Sequence, residues 1–272
     1  MSVSNSLFNS GSTDFFVDAH VHLCDPRFVS RWDEIIKNSQ HLGIQYFLQG
    51  GINPTDWELQ KKLQSQFPNQ IGMSFGLHPW FVAQSTEETC EQALDQLALD
   101  VPTAMALGEI GLDFRFEFVQ GEARDRQIDF FRMQLELAQV AKKPCVLHLV
   151  KAFEEALKVI QWTGLPERSG MVHAFNGPRE HMQSYLKEGL YISLGSAILW
   201  EKNKRLIEAV KILPLDRLLI ESDAPDQPPP GVLDFHFPAS IFLVAERVAE
   251  IQKTSKEKVW EHVRENFRIL FK

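Results

Sequence analysis

Eight short apolar runs, each followed by a stretch of helical spacing, limit how this 272-residue chain can fold more than any other feature. The runs are FFVDAHV (15–21), IQYFLQG (44–50), IGMSFGL (71–77), AMALGEI (104–110), PCVLHLV (144–150), GMVHAF (170–175), LYISLGS (190–196) and LLIESDA (218–224). Their length, their bounding Gly and Pro, and their β-branched or aromatic content suit parallel strands buried on both faces. RDRQIDFFRMQLELAQVAKK (124–143) is the clearest intervening helix. There Ile128, Phe131, Leu135 and Ala138 form an apolar stripe, and Arg126, Arg132 and Glu136 are left to solvent. Lys142 and Lys143 close its last turn and Pro144 stops it. Other helices are expected near 31–42, 54–67, 86–99, 152–163, 179–188, 201–212, 239–252 and 255–264, with Thr86 and Ser255 as starts.

Strict alternation leaves two architectures, the closed barrel and the doubly wound open sheet. The open sheet marks its ligand site with a glycine-rich turn after the first strand, and here that turn reads HVHLCDPRF, without glycine. Eight units favour closure. The expected fold is therefore α/β, a single-domain (β/α)8 TIM-type barrel over 15–272, preceded by a flexible polar lead-in at 1–14. The lead-in has neither the basic start nor the apolar core of a signal peptide. No run approaches the roughly 18 apolar residues needed to span a bilayer. Cys24, Cys90 and Cys145 have no metal-type spacing and cannot all pair, so they read as reduced, buried thiols of a cytoplasmic protein. A formal charge of −8 excludes a generally basic nucleic-acid coat but not an enzyme whose bound cations supply a local positive field. The proline-rich stretch 224–238 reads as a stiff loop over the end of the last strand.

Six side chains with metal-ligand chemistry lie at the carboxyl ends of these runs: His20, His22, Glu109, His148, His173 and Asp223. Barrel enzymes place their reactive groups on that rim. His20 and His22 are two apart, so a strand points both to one face. Taken alone, such a pair fits two hydrogen-bonded core histidines as well as an ion site. Glu109 and Asp223 shift the balance, because a carboxylate in an apolar strand costs several kcal/mol unless it is paired or metal-bound. Four imidazoles and two carboxylates suit a pair of divalent ions, Mg, Mn or Zn, with a reactive water between them. His78 occupies a fifth strand-end position, whereas His41, His181, His236 and His262 fall on helices or loops and read as surface or capping residues.

The motifs DAHVHL (18–23), GLHPW (76–80), GEIGLDF (108–114), LH (147–148), VHAFNG (172–177), ESDAP (221–225) and ENFRILF (265–271), in this order, resemble the TatD-like family of metal-dependent hydrolases, within the amidohydrolase-type barrels. That resemblance implies a division of ligands. One ion would take His20, His22, Glu109 and Asp223, and the second would take Glu109, His148 and His173, with Glu109 bridging. Asp223 would accept the proton of the attacking water. His78 and Trp80 would contact substrate, Arg115, Lys151 and Asn176 would meet it at the rim, and Asp113 would orient a ligand. The implied activity is a deoxyribonuclease, exonuclease-like, acting on single-stranded DNA or strand ends with no organic cofactor and no membrane. The chain departs from the family after His148, where Val150 and Lys151 replace an Arg and an Asp. It departs again at Phe235-His236-Phe237-Pro238, in place of an Arg-Asn-Glu-Pro run. Both departures face substrate, which keeps two rivals open: an esterase or amidase, such as an aminoacyl-tRNA deacylase or lactonase, and a catalytically silent interaction barrel.

Overall fold

The computed structural model describes residues 15–234 and 236–272. The lead-in expected at 1–14, and Phe235, lie outside the described residues. Each expected apolar run carries strand. The strands are β1 (Phe16–Val21), β2 (Ile44–Gln49), β3 (Ile71–Gly72), β4 (Ser74–Phe75), β5 (Ala106–Asp113), β6 (Cys145–Val150), β7 (Gly170–Val172), β8 (Tyr191–Leu194) and β9 (Leu218–Ile220). The third run is split, since β3 and β4 are two halves broken at Met73. All pairings are parallel, in the orders β1-β2-β3 and β4-β5-β6-β7-β8-β9. The Met73 carbonyl accepts Met105 N–H and Ala106 N–H, which carries the ring across the break. At the far seam Asp223 N–H donates to His20 O (3.0 Å) and His22 N–H donates to Ala224 O (2.8 Å), joining the first strand to the last. The result is a closed parallel barrel with helices outside.

The helices are α1 (Pro26–Val29), α2 (Trp32–His41), α3 (Pro54–Gln66), α4 (Pro79–Gln84), α5 (Glu87–Asp100), α6 (Ala123–Ala141), α7 (Phe153–Thr163), α8 (Arg179–Lys187), α9 (Lys204–Val210), α10 (Ile241–Gln252) and α11 (Lys256–Phe271). Thr86 and Ser255 cap α5 and α11, each accepting a backbone N–H three residues on. The short α1 and α4 were not expected. Both begin with a cap residue followed by proline, Asp25-Pro26 and His78-Pro79, a signal the helical periodicity of four or six residues is too short to reinforce. The last helix runs to Phe271, beyond the expected 264, because Phe267, Leu270 and Phe271 continue its buried face. Asn266 interrupts that face in polarity but not in function: its buried amide donates to Leu215 O and Leu218 O where β9 begins.

Helix α6 corrects the sequence reading in three places. Its buried face contains Gln127 and Gln134 beside Phe130, Phe131, Leu135 and Ala138, while Ile128 is only half-buried. The two glutamines hold strand exits: Gln134 accepts Leu77 N–H, and Gln127 accepts Asp113 N–H. Arg126 is not left to solvent, because it donates to Val82 O and Ala83 O on α4. The helix ends at Ala141, and Lys142, at φ 54°, turns the chain beyond it in place of closing the last turn.

Two register shifts in the ladder flank site residues. One lies between Asp18 and Val21 and brackets His20; the other lies between Gly108 and Ile110 and brackets Glu109. A bulge re-aims side chains relative to the strand's regular alternation. Among the described residues no helix is long and apolar enough to cross a membrane.

Candidate metal centre

The two bulged residues meet at the carboxyl mouth of the barrel. Glu109 Oε2 lies 2.8 Å from His173 Nε2, 3.5 Å from His20 Nε2 and 3.5 Å from His148 Nδ1. Glu109 Oε1 lies 3.4 Å from His22 Nε2. Asp223 Oδ1 stands 3.4 Å from His22 Nε2 and 3.7 Å from His20 Nε2, and Gln227 donates to its Oδ2. All six expected residues are therefore gathered around one carboxylate. His78 joins them: its Nε2 is 3.8 Å from Glu109 Oε2, while its Nδ1 accepts Trp80 N–H at the start of α4. It is a buried member of the cluster.

Neighbouring groups fix the ring orientations. His148 turns Nε2 to Asp113 Oδ2 (3.3 Å), which leaves Nδ1 for Glu109. His173 turns Nδ1 toward Glu221 Oε1 (3.5 Å), and the same oxygen accepts Ala174 N–H. Asp18 accepts Ser222 N–H and the Ser222 hydroxyl across the barrel seam. Asp18, Glu221, Ser222 and Gly50 are the residues the sequence reading missed. Asp18 and Glu221 stand inside the DAHVHL and ESDAP motifs, so a charged residue in an apolar strand was the available signal. Gly50 faces the cluster directly: a Cβ there would come within 2.5 Å of His22 Cε1 and 2.7 Å of Glu109 Oε1.

The expected substrate residues divide. Trp80 donates its indole N–H to Asp113 (2.7 Å) and stacks on Phe118, with ring centroids 5.5 Å apart. Arg115 is ion-paired to Asp113 (2.6 Å) and lies over the Trp80 ring. Both are tied to the residue that orients His148. Lys151 is exposed at φ 53°, and Asn176 is exposed, with its Oδ1 accepting from Asn203. Arg124 is paired with Glu155. His41 is exposed, His262 is half-buried, and His181 stacks on Phe153. His236 corrects the surface assignment: it is buried, its Nε2 hydrogen-bonded to Asp226 O (2.6 Å), because the proline-rich segment folds back on itself.

The electrostatics follow from this crowding. Burial raises the Glu109 carboxyl, but the imidazoles of His20, His173 and His22 outweigh it and hold it well below the usual range. Asp223 settles at about 2 for the same reason, burial being overcome by the His22 hydrogen bond and the neighbouring imidazoles. Burial alone would lower His22, yet Glu109 and Asp223 push it up to about 9, and His173 is raised well above its ordinary value. His78 is driven well down, by burial first and His148 second. Asp113 is held below the usual carboxylate range because hydrogen bonds from His148, Arg115 and Trp80 overcome its burial. Burial takes Asp18 the other way, up to about 8.

The donor set fits divalent ions. Among the described residues, three groups have ligand atoms within 4.8 Å of one another: His20, His173 and Asp223; His20, His22 and Glu109; His78, Glu109 and His148. Glu109 Oε1 is buried with no hydrogen-bond partner, and Gly50 leaves the space before it clear. Because His22 and His173 are raised, an entering ion must displace their protons. The stability that the His22 proton lends the metal-free chain is complete below the unfolded histidine value, about 6.5, and is lost as pH rises through about 9; the His173 proton, raised well above its ordinary value, acts in the same direction. Apparent affinity for Zn2+ is expected to rise with pH through about 9, where His22 gives up its proton. Calorimetric titration in buffers of differing ionisation enthalpy counts the released protons, and a pH-independent affinity without proton release would contradict the geometry.

A closed parallel barrel with imidazoles and carboxylates gathered at its carboxyl mouth defines a metal-dependent hydrolase. The chain belongs to the family described as TatD related DNase, whose sequence profile matches residues 17–272. It is 34% identical over 211 residues to a 3'-5' ssDNA/RNA exonuclease TatD of Erwinia amylovora, covering 76% of this chain and 79% of that one. It is 28% identical over 266 residues to an uncharacterized metal-dependent hydrolase of Buchnera aphidicola, covering 94% and 99%. Among solved structures, the TatD homolog YJJV from Escherichia coli K12 superposes with a TM-score of 0.86 at 24% identity, over 94% of this chain and 97% of that one. A TatD family hydrolase from Entamoeba histolytica does so at 0.82 and 19%, over 95% and 98%.

Proposed function

We propose that this chain is a divalent-metal-dependent nuclease that hydrolyses phosphodiesters of single-stranded nucleic acid, working at or near a strand end, with two ions bound. The observation that carries this reading is the Glu109 carboxylate, whose oxygens face His20 and His22 on one side and His148 and His173 on the other. His20, His22, Glu109 and Asp223 would hold one ion, and Glu109, His148 and His173 the other. His78 stands close enough to join the second group or to donate to a phosphate oxygen. When bound, the ions would lower the pKa of a water and offset charge on the phosphoryl group.

The chain's own groups supply the rest. Asp223, ionised and held by Gln227, accepts the water proton through the carboxylate that faces His20 and His22. Asp113 and Glu221 keep His148 and His173 turned toward Glu109. Water adds its oxygen to phosphorus, the phosphorus–oxygen ester bond breaks, and the leaving alcohol takes up a proton. The E. amylovora relative's name, an exonuclease on ssDNA and RNA, supports nucleic acid as the substrate class.

The test sets labelled single strands beside a carboxylic ester, each with Mg, Mn or Zn. Strand shortening is expected, and Asp223→Ala should slow it by about 100-fold or more. Ester turnover without strand cleavage, or an unchanged rate in Asp223→Ala, would overturn the reading.

A further inference from the structure

Trp80 and Arg115 are both bonded to Asp113, and other cations and rings of the rim remain to be placed. Around most of the mouth the cations already have carboxylates: Arg27 pairs with Asp25 and Asp226, Arg31 with Glu34, and Arg124 with Glu155. The sector where β6, β7 and β8 exit is different. Lys151 follows β6 directly, is exposed, and among the described residues makes no ion pair. After β8 the chain makes a short 3-10 turn, Ser196–Leu199, and reaches Trp200, whose side chain is 42% exposed. The Lys202 ammonium lies 5.2 Å from the Trp200 ring centroid. The segment from Trp200 to Arg205 sets Lys202, Lys204 and Arg205 against the single carboxylate of Glu201. This local excess of positive charge stands out in a chain of net charge −8.

The turn is fastened to the metal centre. Asn203 donates to Asn176 Oδ1 (2.7 Å) and to Ala197 O (3.2 Å), and Asn176 lies three residues after His173. An indole face beside an ammonium, with Lys151 at the exit of β6 two strands away, combines the chemistry that holds a single strand: a base stacks on the ring, and phosphates meet the cations.

We propose that Trp200 and Lys202, with Lys151, form a nucleotide-binding subsite for the strand leading away from the scissile bond. The proposal rests on the nuclease reading for the direction of the strand, but binding at this sector is measurable without catalysis. The test is fluorescence anisotropy of labelled decathymidylate with the full chain in EDTA, across a salt series. Trp200→Ala should raise Kd about tenfold or more. Lys151→Ala and Lys202→Ala should each reduce the slope of log K against log salt by about 0.7. Trp162, 88% exposed near the far end of α7, provides the control, and Trp162→Ala should leave Kd within about twofold.

A Kd for Trp200→Ala within about twofold of wild type would overturn the subsite, as would equal losses in Trp200→Ala and Trp162→Ala. Conversion of an oligomer to a monomer by Trp200→Ala, with Kd unmoved, would also overturn it and assign the indole to a contact between copies. Failure of the nuclease reading gives a separate result, intact strands after metal is added to a chain that still binds them.

Discussion

Glu109→Gln should abolish hydrolysis, lowering kcat by about 1000-fold or more and cutting the ion content of the purified chain. Its two oxygens face His20, His22, His148, His173 and His78 at 2.8 to 3.8 Å. The amide keeps the shape of the carboxylate but loses its charge and one acceptor. Two consequences follow. If two ions share this anion as proposed, elemental analysis should show total ion content falling well below half that of the wild type. His22 and His173, whose protons Glu109 stabilises, should titrate lower in the metal-free variant. The fold should survive, because a buried neutral amide needs less compensation than a buried carboxylate. A variant that retains full ion content and rate would remove Glu109 from the centre of the site.

Gly111→Ala should be the most damaging single methyl in the barrel. Gly111 sits in β5 at φ +140°, a conformation L side chains rarely adopt, and a Cβ there would lie 2.1 Å from the His148 carbonyl oxygen. That carbonyl belongs to the paired strand β6, where Gly111 is directly opposite His148. Relief therefore requires either prising the two strands apart or turning the residue that presents an imidazole to Glu109. Backbone strain and overpacking together suggest a loss of about 3 kcal/mol or more. Gly121→Ala is the control, since Gly121 has positive φ but open space around it, and should cost about 1 kcal/mol. Urea unfolding of both variants separates backbone strain from the strand collision. Equal losses would mean that the approach to His148 O carries no cost.

The strands were legible in the sequence because barrel strands are apolar on both faces, so composition and length mark them without periodicity. The break at Met73 was not, since it depends on which carbonyl Met105 and Ala106 find across the ring. Glu109 and Asp223 were legible as charges in apolar runs. Asp18 and Glu221 carry the same signal but serve as hydrogen-bond acceptors, and their partners, Ser222 and Ala174, are 204 and 47 residues away in sequence. Trp80 was read as a substrate contact by resemblance and Arg115 from its place at a strand exit; that both also bond Asp113 was not legible, since it is set by how α4 and β5 meet in space. Trp200 follows a single 3-10 turn, too short for a pattern to announce what its ring faces.

The seam where the last strand docks on the first bears on biosynthesis. The backbone bonds that join the two ends are made by His20, His22, Asp223 and Ala224, so the contact that closes the circle also brings Asp223 to the two histidines. A nascent chain on the ribosome displays both N-terminal histidines early but lacks their carboxylate neighbour until residue 223 has emerged. A translation product that stops before residue 223 lacks one of the six gathered groups.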